Sequence, residues 1–359
     1  IVTGVDVCSS DLKFARMGRS PRPLRRAPAF RSAVPEHAGH DAIGRPGPGI
    51  VSRTMPATVI DGGAIAAELL MSLREDIACS EHGAPGLGTV LVGDDYGAAA
   101  YERRLRHLAE GIGCHYDHRY LPADVELAEV LATLGALNAD PRISGILILR
   151  PLPPQIPEEA LYRRLDPLKD IEAVHPWNAG LVALGEPRFT PSTPAAAFHM
   201  LDRYLFDSGR KPSEFYEEST IVWVGRSNNV GKPGMWLGLE RHATVISCDR
   251  WCDEHGRMRH FARQADVLIV AAGVPNLIGA DDVRDGVIAI DIGINPVTDP
   301  ETGKVRLVGD LDYDGVASRA EAISPVPGGV GPITDVWLFA NTVKAAGLPR
   351  WVHELGQPR

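Results

Sequence analysis

Residues 224–233, Val224-Gly225-Arg226-Ser227-Asn228-Asn229-Val230-Gly231-Lys232-Pro233, set two glycines between an apolar segment and one suited to a helix. Glycines in such a turn let the backbone approach a pyrophosphate, while the helix N-terminus offers amide donors and positive dipole. The spacing is G-x5-G rather than G-x-G-x-x-G, so by itself the loop reads equally well as an ordinary strand-to-helix turn. About twenty residues on, where an adenosine ribose is normally read, a second apolar segment ends at Cys248-Asp249-Arg250. Asp249 suits the two ribose hydroxyls, which favours NAD. Arg226 and Arg250 suit a 2′-phosphate, and two arginines against one carboxylate favour NADP. Lys232 lies either near the cofactor phosphates or at a solvated helix start. Cys248 and Cys252 form the one close cysteine pair, and no second pair or histidine doublet completes a metal site. No metal is expected, and the five cysteines are expected as reduced thiols.

The elements that must position these residues follow from periodicity. Helical spacing is expected over 64–77, 98–111 and 127–137, and strands over 88–92, 115–120 and 143–149. Pro151, Pro153, Pro154 and Pro157 then stop regular structure. A second alternating block begins at Thr220, with strands expected at 221–224, 244–247, 267–271 and 287–290. Its helices are expected at 233–239 and up to 264, and helical spacing resumes over 336–345. Strands alternating with helices imply an α/β fold with parallel pairing, covered on both faces. The 359 residues suffice for two such domains. A net charge of −9 excludes a broad nucleic-acid surface but not an anionic small ligand held by local arginines. No apolar run approaches the roughly 20 residues that span a bilayer. Residues 1–54 are Arg- and Pro-rich and lack apolar periodicity. They are expected to be a disordered or non-native upstream segment, with Met55 as the natural start.

Several stretches together resemble the methylenetetrahydrofolate dehydrogenase/cyclohydrolase (FolD) family. They are Gly145-Ile146-Leu147 running into Pro151-Leu152-Pro153, Lys169-Asp170, His175-Pro176, Asn178, 190–194 and the glycine loop 224–233. The match continues through 265–273, Ile290-Asp291-Ile292-Gly293-Ile294-Asn295, Gly309-Asp310-Leu311-Asp312, the loop 325–334 with its Pro-Val-Pro-Gly-Gly core, and Asn341-Thr342. The resemblance implies an N-terminal α/β catalytic domain over 55–195 plus 334–354 and a C-terminal Rossmann domain over 196–333. The last helix would return to the first domain, and the folate would lie in the cleft between the two. It implies hydride transfer from 5,10-methylenetetrahydrofolate to NAD(P)+ in one-carbon metabolism, giving the methenyl cation, which most members hydrate to 10-formyltetrahydrofolate. A cytoplasmic homodimer is expected, with a folate as small-molecule partner and neither nucleic acid nor membrane.

Carried over residue by residue, the resemblance places Tyr101 on the folate ring, with Pro327, Gly328 and Gly329 beside the substrate. Gly225, Arg226, Ser227, Val230, Gly231, Arg250 and Ile294 line the cofactor. The family's catalytic lysine falls at Leu105 and its glutamine at Leu149; the pterin-binding aspartate is Glu172 and the glycine after it Ala173. Leucine offers no lone pair, proton or charge, whereas hydride transfer mainly needs alignment and exclusion of water. The chain is therefore expected to be a divergent member lacking the catalytic lysine, a dehydrogenase with weak or absent cyclohydrolase activity. One alternative is a bifunctional enzyme in which Arg103, Arg104 or Arg106 replaces the lysine electrostatically. The other is a non-catalytic folate- or nucleotide-binding paralogue. His175 is expected to be a structural hydrogen-bonding residue rather than a general base.

Overall fold

The computed structural model describes residues 56–79, 83–298 and 303–347. The expectations for 1–54, for Cys8 and for the last residues of 334–354 lie outside the described residues. β1 (Thr58–Val59) leads into α1 (Gly62–Ala78), where the Asp61 carboxylate caps the helix by accepting from the Ala64 amide at 3.1 Å. β2 (Gly86–Val92), α2 (Tyr96–Ile112), β3 (His115–Leu121), α3 (Leu127–Ala139) and β4 (Gly145–Ile148) follow, as the periodicity predicts. α2 is fixed at both ends, by Asp95 accepting from Ala98 at 2.8 Å and by Gly113 in the left-handed region at φ 76°. These strands form a parallel sheet in the order β3-β2-β4. The central strand β2 is buried along its whole length, which is why it reads as an unbroken apolar run.

Between the two alternating blocks lie α4 (Glu158–Arg164), α5 (Pro176–Ala183), α6 (Ser192–Asp207) and α7 (Pro212–Glu217), none of which the sequence reading placed. The second block comprises β5 (Thr220–Val224), α8 (Gly231–Glu240), β6 (Thr244–Cys248), α9 (Arg250–Glu254), α10 (Met258–Ala262), β7 (Val267–Val270) and β8 (Ile288–Asp291). It continues through the antiparallel pair β9 (Asn295–Thr298) and β10 (Val305–Val308), then α11 (Tyr313–Ala317), β11 (Ala322–Ile323) and α12 (Val330–Ala345). Its sheet is parallel throughout, in the order β1-β11-β8-β7-β5-β6.

Two crossings tie the sheets together. β1 belongs to a segment expected in the first domain, yet it pairs with β11 in the six-stranded sheet, Thr58 opposite Ala322. α12 returns to the three-stranded sheet, and the Asn341 amide donates to the carbonyls of Ile171 at 2.8 Å and Thr190 at 2.7 Å. Both sheets pack on α12 through one apolar cluster that includes Leu87, Leu147, Trp223, Ile290 and Phe339.

Candidate active site

Tyr101 and Leu105 stand four residues apart on α2, and so on one helix face. Leu105 is fully buried in the apolar cluster that also takes in Leu149 and one side of Tyr101. The position where the resemblance puts an amine is thus hydrocarbon packed on hydrocarbon. The neighbouring arginines are otherwise engaged. Arg106 pairs with the buried Glu102 at 2.6 Å, and Arg104 reaches across to α12, where its Nε and Nη2 approach the two Asp335 carboxylate oxygens at 3.0 and 3.1 Å. The Arg104 guanidinium also stands 5.1 Å from the Tyr101 ring centroid. Burial pushes the Asp335 carboxyl up to about 6, against the pull of Arg104. Burial, with Asp335 and Glu172 nearby, holds the Tyr101 phenol well above its ordinary value and so keeps it protonated.

A second polar group lies where β4 ends. Arg150 Nη2 donates to Glu172 Oε1 at 2.8 Å, and Nη1 to the Tyr162 hydroxyl at 2.6 Å, which in turn donates to Glu158 at 3.0 Å. The Arg150 and Glu172 side chains are only 23% and 18% exposed, so this pair is largely withdrawn from water. Burial raises the Glu172 pKa, and Arg150 opposes the rise. With its amide oxygen facing the guanidinium, Asn229 of the glycine loop lies 3.0, 2.8 and 3.0 Å from Arg150 Nη1, Nη2 and Nε. Near-equal distances put that oxygen over the face of the cation, leaving the edge to Glu172 and Tyr162. Ala173, just after Glu172, holds φ 54°, a left-handed conformation that glycine adopts more readily. His175 accepts from the Trp177 amide at 3.1 Å through Nδ1 and caps α5, a structural contact.

The glycine loop runs from β5 into α8. Gly225 has φ 114°, and a methyl group there would run into the Ala271 carbonyl; one on Gly231 would meet the Gly225 backbone. The open backbone cradle these glycines leave fits the close approach of a dinucleotide phosphate. The amides of Val230 and Gly231 donate to the Ser227 hydroxyl at 3.2 and 3.3 Å, and Lys232 Nζ donates to Asn228 at 2.7 Å. Arg226 donates to the Ser247 hydroxyl, the Ser247 carbonyl and Asp249 at 2.7, 2.9 and 2.8 Å, so the NADP- and NAD-favouring side chains form one ion pair. Arg250 instead turns along α9 to Glu254 at 3.1 Å.

Across from this loop, Asp310 accepts from the amides of Ala272, Gly273 and Val274 at 2.6, 2.9 and 2.9 Å, fixing the turn after β7. Asp291 accepts from Gly293, Asp310 and Leu311; burial pushes its carboxyl up to about 6 even so. Ile294 is exposed on the connection held by this pair. Pro327, Gly328 and Gly329 form the turn entering α12, next to the start of α1, where a methyl on Gly62 would meet the Gly329 carbonyl. The sequence reading missed Arg150, Asp335 and Asn229 as members of these groups. Among the described residues no cluster of three metal-ligating side chains occurs, and no helix is long and apolar enough to cross a membrane.

Comparison with known proteins gives two family matches. Residues 60–172 match the catalytic domain of tetrahydrofolate dehydrogenase/cyclohydrolase, and residues 191–349 match its NAD(P)-binding domain. The chain is 60% identical over 294 residues to bifunctional protein FolD 3 of Rubrobacter xylanophilus, covering 81% of this chain and 92% of that protein. The crystal structure of the bifunctional FolD enzyme from Campylobacter jejuni superposes with a TM-score of 0.73 at 34% identity, covering 81% of this chain and 99% of that one. The Trypanosoma brucei enzyme, solved with NADP cofactor and an inhibitor, gives 0.73 at 32% identity, covering 82% and 98%.

Proposed function

The chain belongs to the tetrahydrofolate dehydrogenase/cyclohydrolase family, and from that premise we propose that it oxidises 5,10-methylenetetrahydrofolate with NADP+ and hydrates the methenyl product to 10-formyltetrahydrofolate. The observation that carries the reading is Arg150, whose guanidinium touches both Glu172, at the pterin position, and Asn229, on the glycine loop. One cation therefore spans the substrate side and the cofactor side, the adjacency that hydride transfer requires. When bound, NADP+ supplies the hydride acceptor. The chain's own part is to hold the two carbons in line and exclude water, for which Tyr101, Glu172 and the turn Pro327-Gly328-Gly329 are the substrate-side residues. The same reading takes the molecule as a cytoplasmic homodimer.

The expectation of weak or absent hydration rested on Leu105 and Leu149. The relative at 60% identity is named bifunctional, which favours the bifunctional alternative over that expectation. The dehydrogenase-only reading keeps one observation in its favour, the complete burial of Leu105. Absorbance of NADPH and of the methenyl compound, followed separately with the purified protein, decides between them. NADPH should accumulate while methenyltetrahydrofolate disappears faster than in buffer. Methenyl loss at the buffer rate would leave a dehydrogenase alone, and no NADPH at any substrate concentration would leave a binding paralogue.

NADP is favoured over NAD by the Arg226 fork, already oriented by Ser247. A 2′-phosphate would take the place Asp249 now occupies on Arg226. Arg226→Ala is expected to raise the KM for NADP+ about tenfold while leaving that for NAD+ nearly alone, the loss of one charge-assisted contact. Equal effects on the two cofactors in steady-state kinetics would show that Arg226 does not read the phosphate.

A further inference from the structure

The hydration half of the reaction poses a chemical problem. Water adding to the methenyl carbon must lose a proton, and the α2 position expected to manage it is Leu105, apolar and fully buried. The face of α2 that carries Leu105 also carries Tyr101, whose ring meets Arg104 and whose hydroxyl meets a residue that is not on α2. It is Asp335, in the second turn of α12, a residue only 5% exposed. Its carboxylate is held through both oxygens by Arg104, while the Tyr101 hydroxyl faces the same carboxylate. Aspartate beside Trp337, Leu338 and Phe339 in the apolar core has no packing rationale; a charge is costly there unless it is paired.

We propose that Asp335, held by Arg104 and acting through the Tyr101 hydroxyl, takes up the proton released when water adds to the methenyl carbon, in place of an amine on α2. The assignment rests on the bifunctional reading above. In the step, the water oxygen bonds to the carbon between N5 and N10. Its proton passes to the Tyr101 oxygen as the Tyr101 proton moves to Asp335, leaving a neutral carbinol. The new hydroxyl then gives its proton to N5 as the C–N5 bond breaks, and the formyl group stays on N10. Asp335 then returns its proton to solvent, which restores the starting state. Asp335 is thus a positioning residue that stores a proton, and Tyr101 is the group that touches substrate.

The charged and titratable groups acting on Asp335 are Arg104 and Tyr101, both from α2, and Glu172 acts in turn on Tyr101. α1 and α6 also pack on α12, and α6 brings His199 against Trp337. Arg104 keeps the carboxylate ionisable near neutrality, and the phenol stays protonated, so the pair holds the proton arrangement the step needs.

The test supplies methenyltetrahydrofolate directly and follows its loss from pH 5 to 8 in the wild-type protein, Asp335→Asn and Asp335→Glu. In the wild type, hydration should rise with pH through about 6, as Asp335 ionises. Asp335→Asn should lower the ratio of hydration to methylenetetrahydrofolate oxidation about a hundredfold and abolish that rise, and Asp335→Glu should restore part of both. Oxidation measured on the same samples reports whether each variant has folded. A carboxylate that only anchors Arg104 would leave the pH profile and the ratio unchanged in Asp335→Asn, and that result overturns the proposal. Absence of hydration in the wild type overturns the bifunctional reading, and this assignment with it.

Discussion

Replacing Arg150 by alanine should destabilise the protein by about 3 kcal/mol at pH 7, the lower end of what breaking a buried ion pair costs. The lower end applies because the two side chains keep 23% and 18% of their exposure. The loss is not the energy of the pair. It is mainly the cost of leaving the Glu172 carboxylate in a low-dielectric site with its cation gone. The pH dependence has a definite sign. Burial already raises the Glu172 pKa in the folded state. Such a group contributes stability that is present below its unfolded pKa and is lost as pH rises through the folded one. Removing Arg150 raises the folded pKa further, so the deficit against wild type should grow from acid toward neutral pH. Adding Glu172→Gln should recover much of it, because no charge is then stranded. Urea unfolding at several pH values measures all of this. A deficit under about 1 kcal/mol, flat with pH, would mean that water screens the pair as it does at a surface.

Gly225→Ala should abolish useful cofactor binding, weakening NADPH affinity about a hundredfold, as an ångström-scale displacement at a positioned site does. Two effects combine. An L side chain at φ 114° is strained, and its methyl would strike the Ala271 carbonyl, so the C-terminal ends of β5 and β7 would have to part. Those ends carry the glycine loop and the turn fixed by Asp310. Fluorescence titration with NADPH checks the affinity, and circular dichroism checks that the fold survives. Near-native affinity in a folded variant would show that the phosphates do not use this loop.

Most elements of both sheets were legible from short strand-like runs alternating with helical spacing; β1 and β11, two residues each, were not. α6 was not legible, although it is 16 residues long. Its first half buries Ala195, Ala196, Ala197 and Phe198 in succession, so a polar face sets a period only in its second half. The short helices around it sit among prolines that read as breaks. β9 and β10 lie apart from the sheets, and most of their residues are exposed. In the site, the residues matched by resemblance could be named from motifs, but their partners could not. Arg104 and Asp335 are 231 residues apart, and each looks like a lone surface charge until the fold joins them. Arg150 sits between an apolar strand and a proline, where sequence alone shows neither Glu172 nor Asn229 beside it.

The short segment from β1 to the start of α1 lies on β11 on one side and on the Pro-Gly turn on the other, while α12 crosses back from that turn to the smaller sheet. These crossings lie near one another, and a packed backbone contact cannot stretch. Any relative movement of the two sheets would have to preserve these contacts or break them. The contact of Asn229 with Arg150, which joins the glycine loop to the end of β4, is a further tie of the same kind.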